Sequence, residues 1–448
     1  MLAIHDFATW EPLLRSLAVD QTGGLPASGC HLAGRMGSYE ASLPTSVSRP
    51  LYFLFEGRQE RSDAMERVRS ALADIGNISV PFAAEIDPSG QTVLRLFTPG
   101  PAVGDCFGPR DGTIILVEGA VPEPWRRLPD PTPGAVPAPS ADPALVERTL
   151  RALLPDAIGA TEAEIAAAEA RLGITLPAEL KAVYRVTREG DEDTLRRTFH
   201  AFGCEFLPLD ELHIADALSR PRPWQQAAMT AVITPPDAAV QGLVGSPGWL
   251  AFGDSGGGDR IALDLTPGPR GHTGQVIMLS HEEEIGAYLL ADSLTDLVTA
   301  RRRDDQPFYQ RDRPPVVVWV GGQDPVGVQA AAHPELEVLW IQSRKDEPLS
   351  LAPVIGLPRL RSLSAEPGTL ADPREIAVLT GLEFLALGSE EWRVLLDAGA
   401  VPRSLSAAAI ETRGNGNLLQ VVAVANELLA LWDRPLITET VVEGRLAL

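Results

Sequence analysis

Three cysteines in 448 residues, Cys30, Cys106 and Cys204, lie far apart and form no CxxC pair. That excludes a disulfide framework and implies reduced thiols in a reducing, cytoplasmic setting. Positive charge is also scarce. Lys and Arg total 38 against 60 Asp and Glu, a net charge of −22, and only Lys181 and Lys345 are lysines. A nucleic-acid binder needs a basic footprint, so no nucleic-acid partner is expected. The same deficit argues against binding an anionic membrane surface. No run of about 18 apolar residues exists, so no membrane span is expected. Residues 1–17 carry His5, Asp6 and Glu11 without a basic stretch leading into an apolar one, which does not read as a signal peptide. No G-x-x-x-x-G-K-[ST] or G-x-G-x-x-G motif marks a nucleotide site.

What remains is ordinary globular material: 45% apolar and 22% charged residues, enough to bury several cores. The 40 glycines and 39 prolines exceed common usage and concentrate in two stretches. Residues 131–143 follow Asp130 in the run DPTPGAVPAPSADP, and residues 301–315 are mixed in charge and end in two prolines. Both read as linkers. They leave three expected domains, 1–130, 144–300 and 316–448, and an overall α+β class.

The first domain reads as α/β-type. Leu51–Phe55 is a short apolar strand. A helix opens at Ser62 with Met65, Val68, Leu72 and Ile75 on one face. Residues 78–86 and 92–97 flank Asp87-Pro88-Ser89-Gly90, whose Pro at the second and Gly at the fourth position fit a type I turn. Residues 112–119 form another strand.

The third domain repeats the frame L-x-x-L-x-L at Leu336/Leu339/Ile341, Leu360/Leu363/Ala365, Leu382/Leu385/Leu387 and Leu405/Ala408/Ile410. Steps of 22 to 24 residues resemble those of leucine-rich repeats, so a short solenoid is expected. Val316–Val320 is expected to cap one end, and the helix from Leu418 with the strand 436–442 to close the other.

The middle domain carries the most specific pattern. Thr161-x-x-Glu164 is a capping box, followed by Ile165, Ala168 and Leu172 on one helix face and Gly173 as a stop. Leu176-Pro177 opens a second helix with Leu180, Val183 and Tyr184 as its stripe. Trp249–Phe252, a glycine-rich turn at 253–258, Asp259–Leu265 and Gln275–Leu279 read as strand, turn, strand and strand, with a last helix near 292–299. Trp249 is expected in the core.

The series ATEAEIAAAEARLGITLPAELKAVY, GWLAFGDSGGGDRIALDL and ADSLTDLV resembles the SUKH superfamily of the Smi/Knr cell-wall-assembly-regulator type over about 160–300. Two positions depart from the family: Thr187-Arg188-Glu189-Gly190 replaces an Asn-Gly, and Leu294 stands where Phe is usual. The resemblance implies a largely antiparallel sheet with helices packed on it. It also implies a non-enzymatic protein-binding role, since fungal members regulate cell-wall synthesis and many bacterial ones are thought to neutralise polymorphic toxins.

Gly253-Asp254-Ser255-Gly256-Gly257 formally matches the serine nucleophile signatures, but those need a nearby His base and, in the elbow form, a following helix. A strand pattern follows instead, so no catalytic residue is assigned; glycines there permit a hairpin connection. Asp254, Asp259 and Asp264 lack the alternate spacing of a calcium loop, and His200-x-x-x-Cys204 lacks two further zinc ligands, so no metal or cofactor is expected. Residues 144–300 hold 23 acidic and 12 basic residues. Asp254, Asp259, Glu282, Glu283 and Glu284 are therefore the expected contact residues for a basic protein partner, a toxin domain among them. The expected function is toxin immunity. The alternatives are a regulatory scaffold without a toxin, or an enzyme housed in residues 1–130.

Overall fold

The computed structural model describes residues 3–18, 24–38, 41–43, 58–74, 76, 79–104, 107–108, 112–188, 192–283, 285–300, 316–321, 327–342, 348–412 and 417–447. The chain divides into two units, one made of Met1–Ala120 with Pro314–Leu448 and the other of Val121–Arg313.

In the first unit a five-stranded sheet runs in the order Thr438–Arg445, Gln91–Thr98, Ser79–Ile86, Cys30–Gly37, Ala41–Ser42, every pair antiparallel. The expected α/β-type domain is therefore corrected to an antiparallel α+β arrangement. The expected hairpin is its centre: Asp87 Oδ1 accepts the Ser89 and Gln91 N–H groups, and Gly90 takes φ +85°, which only glycine adopts freely. The helices Phe7–Ala18 and Arg58–Ala73 bury Trp10, Leu13, Leu14, Val68 and Leu72 with Phe82, Leu94 and Leu96 of the sheet. The expected strand Leu51–Phe55 lies outside the described residues.

The repeat frames form a parallel ladder of Val317–Val320, Val338–Ile341, Ser362–Ala365, Phe384–Gly388 and Ala407–Glu411. Val318, Leu339, Leu363, Leu385 and Ala408 stand in one row, so each strand's apolar face is buried by its neighbours. The helix Leu418–Leu431, capped by Asn417, packs Val421, Val424 and Leu428 into the same core. Beside the ladder's start, Glu337 is buried with Arg359 Nη2 at 2.6 Å and the buried Arg361 Nε at 3.3 Å.

Two expectations change here. The strand near 436–442 does not close the ladder; as Thr438–Arg445 it pairs with Gln91–Thr98, and the Arg445 guanidinium bonds the Ser89 carbonyl. The strand expected at 112–119 joins the ladder instead, Thr113–Leu116 pairing antiparallel with Ala407–Glu411. Each sheet borrows a strand from the other end of the chain, so the first and third expected domains are one unit.

The second unit is built on an antiparallel sheet in the order Tyr288–Ala291, Gln275–Leu279, Arg260–Asp264, Trp249–Asp254, Glu205–Phe206. Alternation sends Leu250, Phe252, Ile261 and Leu263 towards the helices, with Ile165, Leu180, Val183 and Tyr184. It sends Trp249, Ala251, Ala262 and Ile277 to the opposite face, with Trp125, Ala227 and Leu243. The capping box forms as expected: Thr161 N–H donates to Glu164 Oε2 at 2.7 Å, and Gly173 ends the helix at φ +70°. Among the described residues of this unit, four helices had no sequence expectation: Glu123–Arg126, Pro143–Leu153, Glu192–Phe202 and Trp224–Ala228.

The Pro-rich stretch is no free linker. The buried Gln241 amide grips both backbone groups of Asp130, at 2.8 and 2.9 Å. Thr273 N–H donates to the Val136 carbonyl, and Asp142 N–H to Thr295 Oγ1 at 2.8 Å. Residues 131–143 are strapped to the second unit along their length. The second expected linker, 301–315, lies outside the described residues.

Candidate functional site

The glycine-rich turn joins Trp249–Asp254 to Arg260–Asp264, and its conformation is held from within. Asp254 Oδ1 accepts the Gly256 N–H at 2.6 Å, while Gly256 and Gly258 take φ +72° and +102°. Ser255 Oγ accepts the N–H groups of Gly257 at 3.2 Å and Asp259 at 3.1 Å. The hydroxyl thus serves the turn, and a strand, not a helix, follows it.

The turn meets the segment after Gln275–Leu279. Asp259 Oδ1 receives the His281 backbone N–H at 3.0 Å and lies 2.8 Å from His281 Nδ1. Partial burial would raise the Asp259 carboxyl, but the His281 backbone and ring hydrogen bonds outweigh it and hold the group below its usual value. This link places Asp254 and Asp259 at the same end of the sheet as Glu282, which is exposed, and Glu283, which is half-buried. Glu284 lies outside the described residues.

Sequence reasoning missed three neighbours. Glu205 stands opposite Asp254 in the ladder and adds a carboxylate. Arg260, also opposite Asp254, adds a positive charge and reaches the Ser219 carbonyl at 3.4 Å. Phe199, 41% exposed, would contact a Cβ placed at Gly256 at 3.6 Å. A long-range strand partner such as Glu205 leaves no local pattern to read.

Asp264 does not belong to this end. It is fully buried at the far end of its strand, where Oδ1 accepts Trp249 Nε1–H at 3.1 Å and Thr266 N–H at 2.9 Å, and Oδ2 accepts Gln275 Nε2–H at 2.9 Å. Burial pushes its carboxyl up to about 6, against the pull of those donors. Trp249 is fully buried, as expected. Among the described residues no three His, Cys, Asp or Glu side chains group to hold a metal, and no helix is long and apolar enough to cross a membrane.

Residues 159–300 match the SMI1 / KNR4 family (SUKH-1). A cell wall biosynthesis/cell cycle regulator smi1 of Schizosaccharomyces pombe is 28% identical over 151 residues, 31% of this chain and 30% of that protein. A glucan synthesis regulatory protein of Neurospora crassa is 35% identical over 78 residues, 17% of this chain and 14% of that protein. A KNR4/SMI1 homolog of Yarrowia lipolytica is 40% identical over 58 residues, 13% and 8% respectively. The chain thus spans less than a third of the length of these relatives.

Proposed function

We propose, from the premise that residues 159–300 form a SMI1 / KNR4 (SUKH-1) domain, that the chain is a regulatory protein that acts by binding other proteins and not by catalysis. The observation that carries this reading is the family match over 159–300, together with the similarity to proteins named as a cell wall biosynthesis/cell cycle regulator and a glucan synthesis regulatory protein. Those names favour a regulatory scaffold over toxin immunity, the function the sequence alone put first.

We assign the partner contact to the sheet end formed by Asp254, Asp259, Glu282 and Glu283, with Glu284 beside them in sequence. Carboxylates gathered there raise the encounter rate with a basic surface and lower the rate with acidic ones. Toxin immunity remains the second reading because this same acidic end would match the basic active-site surface of a nuclease toxin. The parallel ladder of the other unit, leucine-rich-repeat-like in its spacing, is read as a second recognition surface. Among the described residues Cys30 and Cys204 are in no disulfide, which suits a reducing cytoplasm.

The test is affinity purification of the tagged full chain from its native host, followed by binding kinetics of each recovered partner at two ionic strengths. Replacing Glu282, Glu283 and Glu284 with Gln is expected to slow association and flatten its salt dependence while leaving the melt unchanged. Equal association by the variant would remove the acidic end from the reading. A toxin as the recovered partner would move immunity to first place.

A further inference from the structure

The carbonyl groups around the acidic end converge on one side chain. Arg220 Nη1 donates to the carbonyls of Val244 at 2.9 Å and Gly286 at 3.1 Å. Its Nη2 donates to the carbonyl of Ser280 at 3.1 Å and to that of Glu283. One guanidinium therefore ties two points of the acidic segment, and the residue that ends it, to Val244 in the stretch before Trp249. Only arginine presents enough rigidly forked donors to do this.

Arg220 is itself held from two sides. Asp216 caps the turn Ala217–Ser219 that precedes it, accepting Ser219 N–H at 3.1 Å. Trp125, nearly buried in the core on that side of the sheet, donates its indole N–H to the Arg220 carbonyl at 2.8 Å. Trp125 sits in the short helix Glu123–Arg126, just after the chain enters this unit at Val121. The helix is pinned further by Arg127, which bonds Glu123 and the Val232 carbonyl.

We infer that Arg220, backed by Trp125, is the positioning residue of the acidic segment: it fixes the backbone that presents Glu282 and Glu283. Neither residue contacts a partner in this reading, and each acts through the segment it holds. The functional weight of the inference rests on the contact surface proposed above, but its test does not.

Hydrogen exchange on the free full chain reads it directly. The amides of His281, Glu282 and Gly286 are bonded to Asp259 Oδ1, Ser280 Oγ and the Leu243 carbonyl, so their protection reports the order of the segment. Arg220→Lys keeps the charge but loses the fork. It is expected to speed exchange in a peptide spanning 279–287 on the order of tenfold, as for loss of hydrogen bonds to a charged donor. Trp125→Phe keeps the apolar ring and deletes one donor, and is expected to give a smaller acceleration in the same peptide. The helix Glu162–Leu172 is expected to exchange as in the wild type in both variants. Unchanged exchange at 279–287 in Arg220→Lys, or an equal rise across the whole unit, would overturn the inference. A local rise supports it even where the Gln variants at Glu282 and Glu283 leave partner association untouched, so the two readings fail separately.

Discussion

Asp264→Asn tests the energetics of the second unit's core through pH. In the wild type, burial raises the Asp264 carboxyl from 3.8 to about 6, although three donors from Trp249, Thr266 and Gln275 stabilise its charged form. Desolvation wins because the side chain has no solvent contact. The native state therefore binds the proton more tightly than the unfolded chain does. The stabilisation this group supplies is complete below pH 4 and is lost as pH rises through about 6. A gap of that size corresponds to about 3 kcal/mol. Asn cannot ionise, so the variant lacks this dependence. Its amide places a donor opposite Gln275 Nε2, a cost of about 1–3 kcal/mol that does not vary with pH. Calorimetry of the full chain at a series of pH values from 4 to 7.5 measures the difference. The melting gap is expected to shift in the variant's favour by roughly 6–12 °C across that range for a unit of this size. A gap that stays constant with pH would refute the reasoning, and would mean that the three donors outweigh burial.

Trp249→Ala is expected to destabilise the second unit by about 3–5 kcal/mol through the cavity it opens. Trp249→Phe should cost less, mainly the indole bond to Asp264; thermal melts rank the two, and equal melts for Trp249→Ala and wild type would contradict its place in the core. Glu337→Ala removes the buried carboxylate that lies 2.6 Å from Arg359 Nη2 and 3.3 Å from the buried Arg361 Nε, and a loss of about 3–5 kcal/mol is expected in denaturant titrations. Replacing Glu337 and Arg361 together by leucine should recover most of that loss. Ser255→Ala deletes two hydrogen bonds of the glycine turn and is expected to lower stability by about 1 kcal/mol. Wild-type chain should resist a serine-directed fluorophosphonate probe, and labelling that Ser255→Ala abolishes would reopen catalysis.

Local signals were legible in the sequence. The Thr161 and Glu164 box, the stop at Gly173 and the Asp87–Gly90 turn depend on residues a few positions apart, where capping and turn chemistry act, and the ladder shows as a repeat every 22 to 24 residues. The pairing of strands was not legible. Local apolar patterning marks Thr438–Arg445 and Thr113–Leu116 as strands but carries no address for their partners. The Pro-rich stretch misled for a related reason: its composition is that of a linker, and what fixes it are bonds to Gln241, Thr273 and Thr295, each more than a hundred residues away. At the site, Asp254, Asp259, Glu282 and Glu283 do share one end of the sheet. Arg220 escaped notice because a guanidinium that bonds backbone carbonyls leaves no sequence pattern.

The hydrogen bond between Arg445 and Ser89 joins positions 356 apart in the chain, and this has a consequence for synthesis. The ribosome delivers residues 30–98 long before it delivers 438–445. At about 5–20 residues per second the interval is tens of seconds. Throughout that time Gln91–Thr98 stands as an open sheet edge, a template for mispairing. The intervening Val121–Arg313 holds its own sheet and its own two cores, so it is free to fold while the first unit waits. Nascent chains stalled before residue 438 should therefore carry a finished second unit beside an unfinished first one, and that is the stage at which a chaperone would find something to hold.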